Sequence, residues 1–120
     1  MSQVLLVLAA LMGAAGIVLT AAGAHGKPGA GLDSAGYLLL IHAVAVLAGI
    51  ALLRGGFFYR PLGTAALWGF AVGGALFAAD VAARAYAGGK LFPFAAPAGG
   101  MIMIASWLVI AMAALIGTRG

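Results

Sequence analysis

The stretch SQVLLVLAALMGAAGIVLTAAGAHG, residues 2–26, contains no charged side chain. About 20 predominantly apolar residues in a helix cross the roughly 30 Å of hydrocarbon in a bilayer, so this run alone is long enough to span it. Outward from there, the whole chain holds eight formally charged side chains: Lys27, Asp33, Arg54, Arg60, Asp80, Arg84, Lys90 and Arg119. They leave uncharged gaps at 1–26, 34–53, 61–79 and 91–118. Each gap is close to the length of a span or longer, so four gaps make four spans. The fold expected is all-α: an integral membrane bundle of four transmembrane helices in a single domain, 1–120.

Composition agrees. Of 120 residues, 66% are hydrophobic and 7% charged, whereas soluble domains average roughly 45–50% apolar and about 25% charged residues. The net charge of +4 is spread over the loops, without a basic run or an aromatic-interleaved basic strand, which argues against nucleic acid as a partner. No cysteine is present, so disulfides, thiolate metal sites and cysteine nucleophiles are excluded. Ala22-Gly23-Ala24 resembles a signal cleavage site, but Met1-Ser2-Gln3 lacks a basic region and the apolar run is too long for a signal. The first segment is expected to be retained as a helix.

Punctuation sets the helix limits at roughly 4–22, 34–53, 61–85 and 97–117. Gly23-Ala24-His25-Gly26-Lys27-Pro28-Gly29 ends the first helix, because proline and glycine continue a helix only at a cost. Asp33 or Ser34 suits the N-cap of the second. Arg54-Gly55-Gly56-Phe57-Phe58-Tyr59-Arg60 reads as an interfacial loop, since aromatic rings and snorkelling cations settle at headgroup depth. Pro61 fits the first turn of the third helix, and the fourth begins near Pro97.

Small residues recur at spacings of three and four: Ala9, Gly13, Gly16, Thr20 and Gly23 in the first span, Ala45 and Gly49 in the second. Gly69 and Gly73 follow in the third, then Gly99, Ser106 and Ala113 in the fourth. Lipid tails give helices no hydrophobic reason to associate, so close backbone approach across such faces is the expected glue. These Gly/Ala seams predict that Gly73→Leu disturbs the fold more than Leu67→Ala.

The Arg54–Arg60 loop shares one membrane side, side A, with both chain ends; side B carries the loops at Lys27 and Lys90. Arg54, Arg60 and Arg119 on side A balance Lys27, Arg84 and Lys90 on side B. Arg84 can pair with Asp80 one turn away. That tips the positive-inside rule slightly toward cytoplasmic termini. A bacterial inner membrane is the expected location.

The residues with chemistry gather toward side B: His25, His42, Asp80 and Arg84. From the helix limits, His42 is expected about 12 Å below the start of its span and Asp80 about 8 Å from the end of its own. His42 shares a face with Ala45 and Gly49, while Asp80 and Arg84 continue the stripe of Gly69, Gly73 and Phe77. One reading is a polar site for protons, a metal or a small ligand. The preferred reading is a structural clasp, with Asp80 paired to Arg84 and His42 bonded to a carbonyl on another helix. Asp80, a carbonyl near Pro97 and the backbone around His25 are the partners considered for His42.

Haem ligation by His42 is conceivable, but no second histidine faces it within a span, and two histidines without an acidic cluster make a poor metal site. Met101 and Met103 read as ordinary apolar filler, and Trp107 as core packing. No nucleophile stands beside a base and no carboxylate pair shares a face, so no enzyme, cofactor or metal is assigned.

Three motifs carry a resemblance: Gly23-Ala24-His25-Gly26, then Ile41-His42-Ala43-Val44-Ala45-Val46-Leu47, then Ala96-Pro97-Ala98-Gly99-Gly100 with Trp107. Together they resemble the small membrane family known as domain of unknown function four hundred and twenty-three. It has YgdD-like bacterial members and an animal counterpart named only as a transmembrane protein. The resemblance covers nearly the whole chain and implies a compact four-helix membrane protein without implying an activity. Asp80 and Arg84 depart from the less charged third helix expected of that family. With little chain outside the bilayer, the function expected is that of a structural or accessory subunit, acting through its helices on a larger membrane complex or a second copy. The rivals are a proton or small-solute transport component built on His42 and Asp80, and a haem- or quinone-binding subunit.

Overall fold

The structure, a computed structural model, describes residues 2–117. Its elements are α1 (Ser2–Ala21), a π-helical turn (Ala22–Gly26), α2 (Leu32–Arg54), α3 (Arg60–Tyr86) and α4 (Ala95–Ile116). All four α-helices are long and apolar enough to cross a membrane. The protein is an all-α, multi-pass membrane bundle of four transmembrane helices. Arg119 lies outside the described residues.

Helix limits move where local chemistry differs from the expected caps. Gly31, at φ 81°, precedes α2, so the helix starts at Leu32 and Asp33 belongs to its first turn. The Asp33 carboxylate only accepts the amide of its neighbour Ser34, at 2.9 Å. Neither residue is the N-cap. At α4 the chain turns through Phe94, a non-glycine residue at φ 68°, and Ala98 N–H donates to the Phe94 carbonyl at 2.8 Å. Pro97 therefore falls inside the first turn, where its missing N–H deprives no carbonyl of a partner. Beyond Ala21 the chain winds on by the wider π turn, and Lys27 N–H closes it on the Ala22 carbonyl at 2.8 Å.

Packing proceeds in chain order: α1 on α2, α2 on α3, α3 on α4. Only a small contact joins α1 to α3, and α2 and α4 share no extended interface. The central pair is the more enclosed. In the most apolar stretch of each helix, 44% of residues are buried in α2 and α3 and 22% in α1 and α4. Val46, Leu67 and Phe70 are fully buried in the core, and Leu32 is fully buried at the start of α2.

Glycine seams close the two outer interfaces. A Cβ on Gly16 would lie 2.9 Å from the Gly36 carbonyl oxygen, and one on Gly36 would lie 2.6 Å from the Gly16 oxygen. Across α3 and α4, a Cβ on Gly73 would lie 2.9 Å from the Gly99 oxygen, and one on Gly99 would lie 2.8 Å from the Gly73 oxygen. At such separations a side chain meets backbone, which cannot move aside. Gly49 is occupied from across α2/α3 by the Leu67 side chain, and Gly69 by the Ser106 hydroxyl, whose O–H donates to Ile102 at 2.7 Å. Gly13 has only ordinary contacts at 3.9 Å and is not part of a tight seam. Gly36 was absent from the expected stripe and is one of its tightest members.

These seams also fix heights. From Gly73, α3 runs thirteen residues to Tyr86, while α4 reaches back only four from Gly99 to Ala95. Nine residues of overshoot are about 14 Å of helix. The 87–94 loop must fold back along α3 to make that up.

Candidate functional site

His42 and Asp80 form two separate polar sites. Gly74 is level with His42, since a Cβ there would lie 3.7 Å from the His42 Cβ. Asp80 is six residues further along α3, about 9 Å toward side B. A Cβ on Gly31 would lie 3.8 Å from Val81, which puts Asp80 at the level of the first turn of α2. The similar depths expected for the two residues do not hold, because α2 begins two residues early and α3 extends past it. His25 is exposed on the π turn. Of His25, His42, Asp80 and Arg84, only Asp80 and Arg84 are brought together.

His42 is 4% exposed, ten residues into α2. Its Nδ1 lies 2.7 Å from the Leu38 carbonyl oxygen, one turn back. Its Nε2 lies 3.0 Å from Trp107 Nε1 on α4. An indole nitrogen can only donate, so Nε2 is the acceptor and Nδ1 carries the proton that goes to Leu38. The two bonds together select one tautomer and fix the ring orientation. Phe70 of α3 completes a group of three rings, with its centroid 4.6 Å from Trp107 and 5.5 Å from His42.

The partner of His42 is thus neither Asp80 nor a backbone group at Pro97 or His25. The carbonyl it uses is on its own helix. Trp107 is also more than core packing: the residue is 45% exposed at the bundle edge while its N–H points inward. A usable signal was present in the sequence. A mid-span tryptophan brings a donor into hydrocarbon, and His42 was the mid-span side chain with a lone pair to offer. Replacing Trp107 by Phe, His42 by Leu, and both together should give a coupling of about 0.5–1.5 kcal/mol in detergent melting, the range of interhelical hydrogen bonds in membrane proteins. Additive losses would mean that the bond contributes nothing.

Asp80 has no solvent exposure. Oδ2 accepts from Arg84 Nε at 2.8 Å, one turn on, and Oδ1 accepts from the Leu91 backbone N–H at 2.8 Å. The second bond is the pin of the returning 87–94 loop. Arg84 keeps its side chain 53% exposed, so the charge pair straddles the boundary between bundle and headgroups.

The motif residues divide in use. Gly23 packs on Asp33, Gly99 packs on Gly73, and a Cβ on Gly26 or Gly100 would meet open space. Pro97 is exposed. Among the described residues no group of three histidine, aspartate or glutamate side chains converges as a metal site would require.

Fold and polar contacts together define a class: a multi-pass α-helical membrane protein with His42, Asp80 and Ser106 turned inward. Compared with known families, curated proteins and solved structures, the chain finds no match.

Proposed function

We propose that the protein is a small structural or accessory subunit of the membrane, without enzymatic activity, acting through its outer helical faces on a larger membrane complex or a second copy. One observation carries this reading: among the described residues every buried polar side-chain atom already has a partner within the chain. The lone pair of His42 that iron would need is engaged by Trp107, and Asp80 is engaged by Arg84 and Leu91. What the molecule offers outward is apolar, with Ile17 and Val18 on α1 and Leu108 and Leu115 on α4 well exposed. Membership of the family that the three motifs resemble is part of the proposal; the bond between His42 and Trp107, from two different motifs, supports it.

Purification from the native membrane in mild detergent, with crosslinking and mass identification of what travels along, tests the reading. A stoichiometric membrane partner or a defined homo-oligomer is expected. A monomer that moves protons in proteoliposomes, or that shows a Soret band, overturns it.

The location proposed is a bacterial inner membrane with both termini in the cytoplasm, supported by Arg54 and Arg60 on side A and by the pairing of Arg84 on side B. Reporters fused after residue 120 and within the loop at Lys27 should report opposite compartments, the first cytoplasmic. The same compartment for both would contradict an even number of spans, and the reverse assignment would invert the orientation.

A further inference from the structure

An apolar groove of about 590 Å³ runs between α1 and α3, with Leu8, Val18 and Leu19 on one wall and Ala75, Ala79 and Ala82 on the other. Leu39 of α2 lines it as well, and only a small contact joins α1 to α3. Ala75 and Ala79 are exposed, so the α3 wall presents short side chains opposite the leucines of α1. From Leu8 to Leu19 the groove is eleven residues of helix long, about 17 Å, close to half of a roughly 30 Å hydrocarbon core. It has the length of one leaflet.

Polar side chains lie beyond the side B end of the groove. Tyr86 follows Ala82 by one turn on the same stripe of α3, and the Lys27 ammonium stands 5.2 Å above the Tyr86 ring centroid. Among the described residues Lys27 makes no ion pair. Of the two acidic side chains toward side B, Asp80 is paired with Arg84 and the Asp33 carboxylate is turned to the Ser34 amide. A cation over an aromatic ring, one turn beyond an apolar leaflet-length groove, matches a phospholipid in both of its parts. We propose that this groove binds one phospholipid of the side B leaflet, an acyl chain lying along the alanines and an anionic headgroup on Lys27. This site is independent of any protein partner.

Native mass spectrometry of the detergent-solubilised full chain, titrated with phosphatidylglycerol or phosphatidylcholine of identical chains, tests it. One phosphatidylglycerol should be retained about fivefold more readily than phosphatidylcholine, the preference that one interfacial lysine provides. Lys27→Gln should erase the preference while leaving chain binding. Ala79→Phe, a change at an exposed position that fills the groove, should lose retention of both lipids without lowering the melting temperature. Lys90→Gln is the charge control and should keep the wild-type preference. Equal retention of the two lipids by the wild type, or equal effects of Lys27→Gln and Lys90→Gln, would overturn the proposal. So would a dimer that Ala79→Phe abolishes, because the groove would then hold a helix of a second copy.

Discussion

Gly73→Leu should leave little folded protein, with a loss of about 3 kcal/mol or more, at or beyond the usual range for overpacking. The reason is the identity of the neighbour. A Cβ on Gly73 would lie 2.9 Å from the Gly99 carbonyl oxygen, and α4 cannot retreat without opening the seam along its length. The matched control is Val72→Ala, one residue away but 51% exposed to the surroundings of the bundle, which should change stability by no more than about 0.5 kcal/mol. Thermal melting in detergent, read by helicity and monodispersity, compares them. Equal melting temperatures would remove the seam. Leu67→Ala, which the sequence suggested as the milder change, is not neutral: Leu67 is fully buried and fills the space at Gly49. Its truncation should cost about 2–5 kcal/mol, as for other buried leucines.

Asp80→Ala should release the 87–94 loop. Three things are lost together: the acceptor for Leu91 N–H, the partner of Arg84, and the reason for the chain to fold back beside α3. Amide exchange at Leu91 should accelerate by on the order of tenfold or more, as expected when a charge-assisted hydrogen bond to a backbone amide is removed. Proteolysis at Lys90 should rise in parallel, while exchange around His42 stays as in the wild type. Asp80→Asn, which keeps an acceptor oxygen, should lose less than Asp80→Ala. Unchanged exchange at Leu91 in both variants would show that the loop is held by something else.

The spans were legible because their signal is coarse: a gap without charge the length of a bilayer leaves few alternatives. The pairing of Asp80 with Arg84 was legible for a similar reason, being a contact within one helix at a spacing of four. What the sequence hid depends on the relative heights of different helices. Asp80 and His42 seemed level until the overshoot of α3 past α2 and α4 was known, and Leu91 could be recognised as a partner only once the loop was seen to double back. Gly36 escaped notice since a stripe is visible in sequence only along its own helix, whereas its role is set by Gly16 and Thr20 on another. Trp107 was misjudged through its ring, the conspicuous part, when the nitrogen decides its orientation.

The seams lie inside α1/α2 and inside α3/α4, whereas the surface between α2 and α3 is filled by larger groups such as Leu39, Val46, Leu67 and Phe70. Each half of the chain is therefore a hairpin that can zip up on its own as it leaves the insertion machinery, before the other half has been made. The stretch from Gly55 to Tyr59 that links the two hairpins adds Phe58 to the core and the hydrogen bond that Tyr59 N–H donates to the Ala113 carbonyl. A protein built this way has a natural seam of another kind, in time rather than in space, and two short polypeptides carrying one hairpin each would meet the same docking surface as the unbroken chain.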